Sequence, residues 1–214
     1  MIDYKSQSLA NQVYETIERN ILNGVYSKGE VISEMKLSEE LGVSRTPIRE
    51  AMTRLETERL IETTSTGTVV VGITDKDVRD MFQVKLHLDP LIMKMAATNI
   101  SAHALEMLKE NLEQQEFYNK KGNTEKLRDL DTEFHDIIYA ESKSPILQHI
   151  LTGIHHKLLK YRKASLDKSD RSDHSVEEHE AIYEALAARD EMRIELLVLQ
   201  HINHSYDTIM KGVK

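Results

Sequence analysis

The chain has 214 residues, a formal net charge of −8 at pH 7, 40% hydrophobic residues and 30% charged residues. The absence of cysteine excludes a disulfide framework and thiolate chemistry. No apolar run approaches the roughly 20 residues that span a bilayer, and MIDYKSQSLANQ lacks the order of a signal peptide, so we expect a cytoplasmic protein. The acidic balance also means that any nucleic-acid contact must come from a local basic face.

The chain begins with a helical pattern. Residues 6–23 predict the first helix, because apolar side chains recur at every fourth position. Ser6 or Ser8 can cap its start, and Gly24 can end it. Residues 25–33 then predict a loop.

A second and a third helix follow, separated by a tight turn. Residues 34–41 predict the short second helix, and Gly42 begins the turn. Ser44 is the predicted cap of the third helix. Pro47 falls in the first turn of that helix, where a missing N–H costs little.

The third helix has two different faces. Arg45 and Arg49 lie one turn apart and therefore share a face. Ile48, Met52 and Leu55 lie on the other side, where they can pack against a small core. A helix buried on one side with guanidinium groups on the other is suited to a groove lined with phosphates and base edges.

The pattern changes from helical to extended after this helix. The segment ETTSTGTVVVG is rich in Thr and Val around Gly67, which predicts a hairpin with strands near 60–64 and 68–72. Two packed helices followed by a hairpin indicate a winged helix-turn-helix DNA-binding domain at residues 1–73. The alternative is a helical domain that docks on another protein.

Residues 74–214 predict an all-helical domain, so the fold class is mainly α. Pro90 is expected to kink or divide its first helix, and residues 167–173 predict a polar loop. Short connections between consecutive helices indicate an antiparallel bundle. Six helices are predicted, at about 75–99, 102–121, 124–141, 144–165, 173–189 and 190–211.

The bundle carries a candidate metal site among ten histidines. Asp131 and His135 are four residues apart on one predicted helix, and His179 and His201 lie on two others. Each is close to an apolar stripe, where polar groups need partners. Three imidazoles and one carboxylate are a suitable ligand set for a divalent metal, with zinc favoured and nickel or manganese as alternatives.

Other interpretations of these histidines remain open. An Asp–His pair one turn apart is also typical of a surface salt bridge or a core hydrogen bond. His204 is a rival ligand to His201 because it lies on a similar face. His155 and His156 are adjacent, so they point in different directions and are not expected to chelate one metal together.

Several motifs together resemble the GntR family of bacterial transcription regulators, in its FadR-like branch with an all-helical effector domain called FCD. They are QVYETIERNILNG, LSEELGVSRTPIREAMTRLETERLI and the wing in the first domain, then DTEFH, SVEEHEAIYEALAARD and the last helix. The resemblance covers essentially the whole chain. It supports a metal at the aspartate and three histidines already named.

The resemblance implies a homodimer that binds a pseudo-palindromic operator and responds to a small organic acid. Two departures matter: Met35 replaces a common arginine, and Lys85 replaces an arginine that often grips the effector carboxylate. Lys85 is therefore the predicted effector-binding residue. The predicted DNA contacts are Ser44, Arg45, Thr46, Arg49, Ser65, Thr66 and Gly67.

The sequence therefore predicts a ligand-responsive regulator, with repression as the favoured sign. A metal sensor is the first alternative. A metal-dependent hydrolase with an accessory DNA-binding domain is a weaker one, because no general base is placed like the glutamate of an HExxH motif. We therefore expect no enzymatic activity.

Overall fold

A computed structural model of the chain describes residues 8–165 and 172–211. Across these ranges it contains nine helices and three short strands, in two compact units. One unit ends at Thr74 and the other begins at Asp75. The possible cap Ser6, and residues 167–171 of the predicted polar loop, lie outside the described residues. The predicted fold class, mainly α with a winged N-terminal part, is confirmed.

Three helices form most of the first unit. They are α1 (Leu9–Leu22), α2 (Glu34–Leu41) and α3 (Arg45–Thr57). The Ser8 side chain accepts a hydrogen bond from the backbone N–H of Asn11, which caps α1 as predicted. Apolar side chains of the three helices and the sheet form one core, which includes Ile17, Leu37, Ile48, Leu55 and Ile61.

The start of α3 differs from the prediction in one detail. Ser44 occupies the N-cap position, but its side chain makes no capping hydrogen bond. Gly42 closes α2 in the left-handed conformation, with φ of 67°. The turn therefore depends on the glycine backbone, while the Ser44 hydroxyl stays at the exposed surface.

The wing contains one strand more than predicted. Strands β1 (Val31–Ile32), β2 (Ile61–Thr64) and β3 (Gly67–Val70) form an antiparallel sheet in the order β1-β3-β2. The predicted loop at 25–33 therefore ends in a strand. A side chain at Gly67 would meet Val31 Cγ1 at 2.9 Å, and its φ of 127° favours glycine. Gly67 thus permits both the turn and the pairing of β1.

Six helices form the described part of the second unit. They are α4 (Asp75–Asn99), α5 (Ala102–Lys120), α6 (Thr124–Glu141), α7 (Pro145–Ser165), α8 (Ser172–Ala187) and α9 (Glu191–Lys211). Pro90 is buried inside α4 and does not divide it. Helix α4 packs against α6, α7, α8 and α9, so its inward face meets the three helices, α6, α8 and α9, that carry the predicted metal ligands. Within the described ranges, no helix has the length and apolar character to cross a bilayer.

Candidate DNA-binding surface and metal centre

The predicted DNA-binding face of α3 is exposed. Ser44, Arg45, Thr46 and Arg49 all lie at the surface, while Ile48 is fully buried on the opposite side. At the wing, Ser65 and Thr66 are exposed and Gly67 is half-buried. The Thr64 hydroxyl donates to the Gly67 carbonyl oxygen at 2.8 Å, which holds the hairpin turn together. These observations leave polar groups of both elements accessible to a ligand outside the unit.

Arg49 has a partner that the sequence did not reveal. Its Nε and Nη2 atoms donate to the two carboxylate oxygens of Glu34, both at 2.9 Å. Hydrogen bonding and charge from Arg49, with charge from Arg45, lower the pKa of Glu34. The two residues lie 15 positions apart on different helices, so no helical spacing pairs them. Glu34 at the first turn of α2 therefore holds the guanidinium of Arg49 in one orientation.

Arg54 has its hydrogen-bond partners within the first unit. Its Nε donates to Glu58 at 3.2 Å and its Nη1 donates to Asn11 at 2.9 Å. Its guanidinium carbon lies 3.6 Å from the centroid of the Tyr14 ring, which is cation–π geometry. Arg54 thus joins α3 to α1.

The second unit brings the four predicted metal ligands together. Asp131 and His135 come from α6, His179 from α8 and His201 from α9. All three histidines are buried, with exposed fractions of 1%, 0% and 7% in that order. One nitrogen from each of the three rings lies within 4.8 Å of one nitrogen from each of the other two. Residues from three helices therefore converge at one point inside the bundle.

Each of these three histidines is anchored through Nδ1. His135 Nδ1 lies 2.9 Å from the backbone oxygen of Asp131, His179 Nδ1 lies 2.8 Å from Gln115 Oε1, and His201 Nδ1 lies 2.6 Å from Glu178 Oε2. An imidazole that donates from Nδ1 presents a lone pair at Nε2. Metal-binding histidines usually have such a partner on the second nitrogen. The structure thus orients three Nε2 atoms as potential ligands.

The carboxylate of Asp131 lies beside these nitrogens. Its Oδ1 is 3.5 Å from His179 Nε2. His179 Nε2 is buried and has no hydrogen-bond partner among the described residues. A buried nitrogen in that state is unusual, since such groups are nearly always paired. The donor set of one carboxylate and three imidazoles, with this nitrogen unpartnered, fits a divalent cation.

The protonation states also suit metal binding. Burial, followed by the neighbouring His201, lowers the pKa of His179 to about 3. Burial also lowers the pKa of His135 well below its usual value. Burial by itself would raise the pKa of Asp131, but the imidazoles of His155 and His135 hold it well below its ordinary range. Neutral imidazoles and an ionised carboxylate are the forms that bind metals.

A fourth buried imidazole, His155 on α7, joins the cluster and was missed in the sequence. It is 6% exposed, and its ring stacks on His135 with centroids 4.2 Å apart. The apolar neighbours Leu151 and Leu158, both buried on the same helix, were the available signal. His156 points away to Asp136, as expected for adjacent residues.

His201 and His204 differ in burial, and only His201 lies inside the bundle. The side chain of His204 is 61% exposed, and its Nδ1 binds the second oxygen of the same Glu178 that anchors His201. Only His201 belongs to the buried group of three histidines. Glu178 therefore connects the inner histidine to the surface.

Lys85 lies at the same cavity but already has an ionic partner. Its Nζ is 2.5 Å from Asp89 Oδ2 and donates to the Tyr139 hydroxyl at 3.0 Å, and that hydroxyl donates to Asp89 Oδ1 at 3.1 Å. Burial, followed by the charge of Asp89, raises the pKa of Tyr139 well above its usual value. The cavity is lined by Phe82, Lys85, Asp131, His135, His155, Leu158, Leu159, Ser175, His201, Ile202, Ser205 and Ile209.

Two family models match the chain, and together they cover both units. The model described as "Bacterial regulatory proteins, gntR family" matches residues 9–71, and the model of the FCD domain matches residues 80–204. The first contains the α2–α3 pair and the wing, and the second contains all four predicted metal ligands.

Curated relatives and solved structures agree with these matches. The HTH-type transcriptional regulator YdhC of Bacillus subtilis (strain 168) is 29% identical over 90% of this chain and 87% of its own length. The gluconate operon transcriptional repressor of the same organism is 23% identical, over 98% of this chain and 86% of its own. The structure of E. coli McbR/YncC covers 98% of this chain and 100% of its own, with a TM-score of 0.77 and 21% identity. The matched family is described as regulatory proteins and both curated relatives are named as transcriptional regulators, so the expectation of no enzymatic activity is confirmed. The chain belongs to the GntR family of bacterial regulatory proteins, as a transcriptional regulator with an FCD domain.

Proposed function

We propose that this regulator is a repressor whose helical unit binds a divalent metal and a small organic acid, and that the acid changes its affinity for operator DNA. Asp131, His135, His179 and His201 would hold the metal, with zinc preferred and nickel or manganese as alternatives. The observation that carries the proposal is the convergence of three buried imidazoles, each of which has its Nδ1 atom held by an oxygen atom.

The cavity supports an organic acid as the effector. When bound, the metal would supply a Lewis-acidic position for a carboxylate oxygen. The apolar side chains of Phe82, Leu158 and Ile202 can pack against a carbon skeleton, and Ser175 and Ser205 offer hydroxyl groups. Lys85 would act as a hydrogen-bond donor to the acid rather than as an uncompensated charge, because Asp89 already balances it.

In the first unit, the exposed face of α3 and the wing tip would contact DNA. Arg45 and Arg49 would reach base edges or phosphates in the major groove. A homodimer would place two such units on the two halves of a pseudo-palindromic operator. Repression is favoured because three of the relatives are named as repressors: two repressors of the gluconate operon, and RspR of Escherichia coli (strain K12). The full contact set is Ser44, Arg45, Thr46, Arg49, Ser65, Thr66 and Gly67.

Metal loading and DNA affinity test the proposal together. The full-length protein, stripped with a chelator and reloaded with zinc, is expected to bind one ion per subunit, and His179→Ala is expected to lose that ion. DNA fragments selected from a random pool by the wild-type protein then serve as the operator. Acetate, lactate, gluconate and citrate are titrated while operator affinity is followed by fluorescence anisotropy.

The outcomes separate the alternatives. A change of DNA affinity that requires both zinc and an acid supports the proposal. A change on zinc addition without any acid identifies a metal sensor. Zinc binding far below one ion per subunit in the wild-type protein would remove the metal centre from the mechanism.

A further inference from the structure

His155 occupies a position that the four predicted ligands do not explain. It comes from α7, and its Nε2 lies 3.2 Å from Asp131 Oδ2. That nitrogen is buried and has no well-aligned hydrogen bond among the described residues, although its interaction with Asp131 lowers the pKa of that carboxyl. Inside a bundle, an imidazole nitrogen close to a carboxylate but poorly aligned with it requires an explanation.

Shared coordination of one ion accounts for this geometry. Two donors that each lie about 2.0–2.1 Å from a metal, at angles between 90° and tetrahedral, are separated by about 2.9–3.4 Å. His155 Nε2 and Asp131 Oδ2 are 3.2 Å apart, within that range. His179 Nε2 and Asp131 Oδ1, at 3.5 Å, are only slightly wider. Oδ2 of Asp131 thus lies at a distance from His155 that is typical of two neighbouring ligands, while Oδ1 faces His179.

The potential donors form two overlapping groups. One donor atom each from Asp131, His135 and His155 lie within 4.8 Å of one another, and the same holds for His135, His179 and His201. These two groups share His135. Donors on opposite sides of one ion would be about 4 Å apart, so a single metal would require the side chains of the two groups to move towards their shared His135.

We propose that His155 is a fifth protein ligand of the metal centre, which rests on the metal binding proposed above. The site would then supply four imidazole nitrogens and one carboxylate oxygen from α6, α7, α8 and α9. Five protein donors are one more than a four-coordinate zinc ion can bind, and they leave one position open on a six-coordinate ion. The effector would therefore bind the metal through a single oxygen, whereas four protein donors would leave room for a chelating acid.

The test is the coordination of Co²⁺ in the full-length protein. Visible absorption of Co²⁺ is strong in four-coordinate sites and weaker when five or six ligands are bound. The wild-type protein is expected to give the weaker bands, and His155→Phe is expected to shift them towards the four-coordinate pattern and to weaken Co²⁺ binding by at least about tenfold. His156→Phe is the matched control, since His156 is the next residue on α7 but pairs with Asp136 outside the cluster.

The role of His155 and the existence of the metal centre fail through different outcomes. If His155→Phe binds Co²⁺ with an unchanged spectrum and affinity, His155 is not a ligand and the centre has four protein donors. If the wild-type protein does not bind Co²⁺ or Zn²⁺ stoichiometrically, both the metal centre and the role of His155 are wrong.

A measurement on the wild-type protein avoids dependence on the folding of the variant. In the proton spectrum of the Co²⁺ form, each imidazole bound through Nε2 gives one strongly shifted, solvent-exchangeable signal from its Nδ1–H. Four such signals are expected from His135, His155, His179 and His201. Three signals would overturn the assignment of His155.

Discussion

Replacing Gln115 with leucine tests how the histidines are held. Gln115 is 2% exposed, and its Oε1 lies 2.8 Å from His179 Nδ1. Its Nε2 donates to Asn111 Oδ1 at 2.7 Å, and the Asn111 amide donates to the Leu130 carbonyl oxygen and to Glu133. This chain of hydrogen bonds fixes which nitrogen of His179 carries the proton and which one is presented to a metal.

The expected loss of zinc affinity in Gln115→Leu follows from the hydrogen-bond acceptor that is removed. Leucine cannot accept the Nδ1–H, and an unpaired buried donor costs about 1–3 kcal/mol. Loss of an outer partner of a metal-bound histidine typically weakens metal binding by about 10–100-fold. At about 1.4 kcal/mol per factor of ten, this loss of metal affinity corresponds to about 1.4–2.8 kcal/mol, which is in the same range as the cost of the unpaired donor. We therefore expect the zinc dissociation constant of Gln115→Leu to rise by at least about tenfold.

Competition with a chromophoric chelator measures the dissociation constant directly. Gln114→Leu is the matched control, because Gln114 is the preceding residue on α5 and is exposed. Circular dichroism shows whether both variants keep their helices. A zinc affinity of Gln115→Leu within twofold of the wild-type value, in a folded protein, would refute the orienting role of Gln115.

Three further outcomes are expected. Arg49→Ala should abolish binding to the selected operator DNA in anisotropy measurements. The control Arg19→Ala, which removes one exposed charge from α1, should bind nearly as the wild type does. Unchanged binding by Arg49→Ala would show that Arg49 does not contact DNA. Lys85→Met should lower the free energy of unfolding in urea by about 3–5 kcal/mol, because it leaves Asp89 buried without its cation. Replacing both residues by apolar ones should recover most of that loss. A Lys85→Met variant as stable as the wild type would contradict the buried pairing. Burial, followed by the charge of nearby glutamates, raises the pKa of Tyr14 well above 10. The neutral Tyr14 hydroxyl therefore stabilises the fold below about pH 10, and this contribution is lost as the pH rises further. Above pH 10 the urea midpoint of Tyr14→Phe should fall less steeply than that of the wild type.

Local patterns in the sequence determined most of the fold. The bounds predicted for α2 and for the helices of the second unit follow from helical periodicity and from breakers such as Gly42, which act over a few residues. The face of Arg45 and Arg49 follows from the same periodicity. The motifs that resemble the GntR family lie in the same segments, and the family is confirmed.

Contacts between distant residues were decided only by the tertiary structure. Strand β1 has two residues, too few for an alternating pattern, and exists because it pairs with β3. Glu34 reaches Arg49 across the turn, and Gln115 reaches His179 from a position 64 residues away. His155 joins the cluster because α7 packs against α4 and α6. Periodicity shows which side of a helix is buried, but the partner on that side depends on how the helices pack, which no short segment encodes.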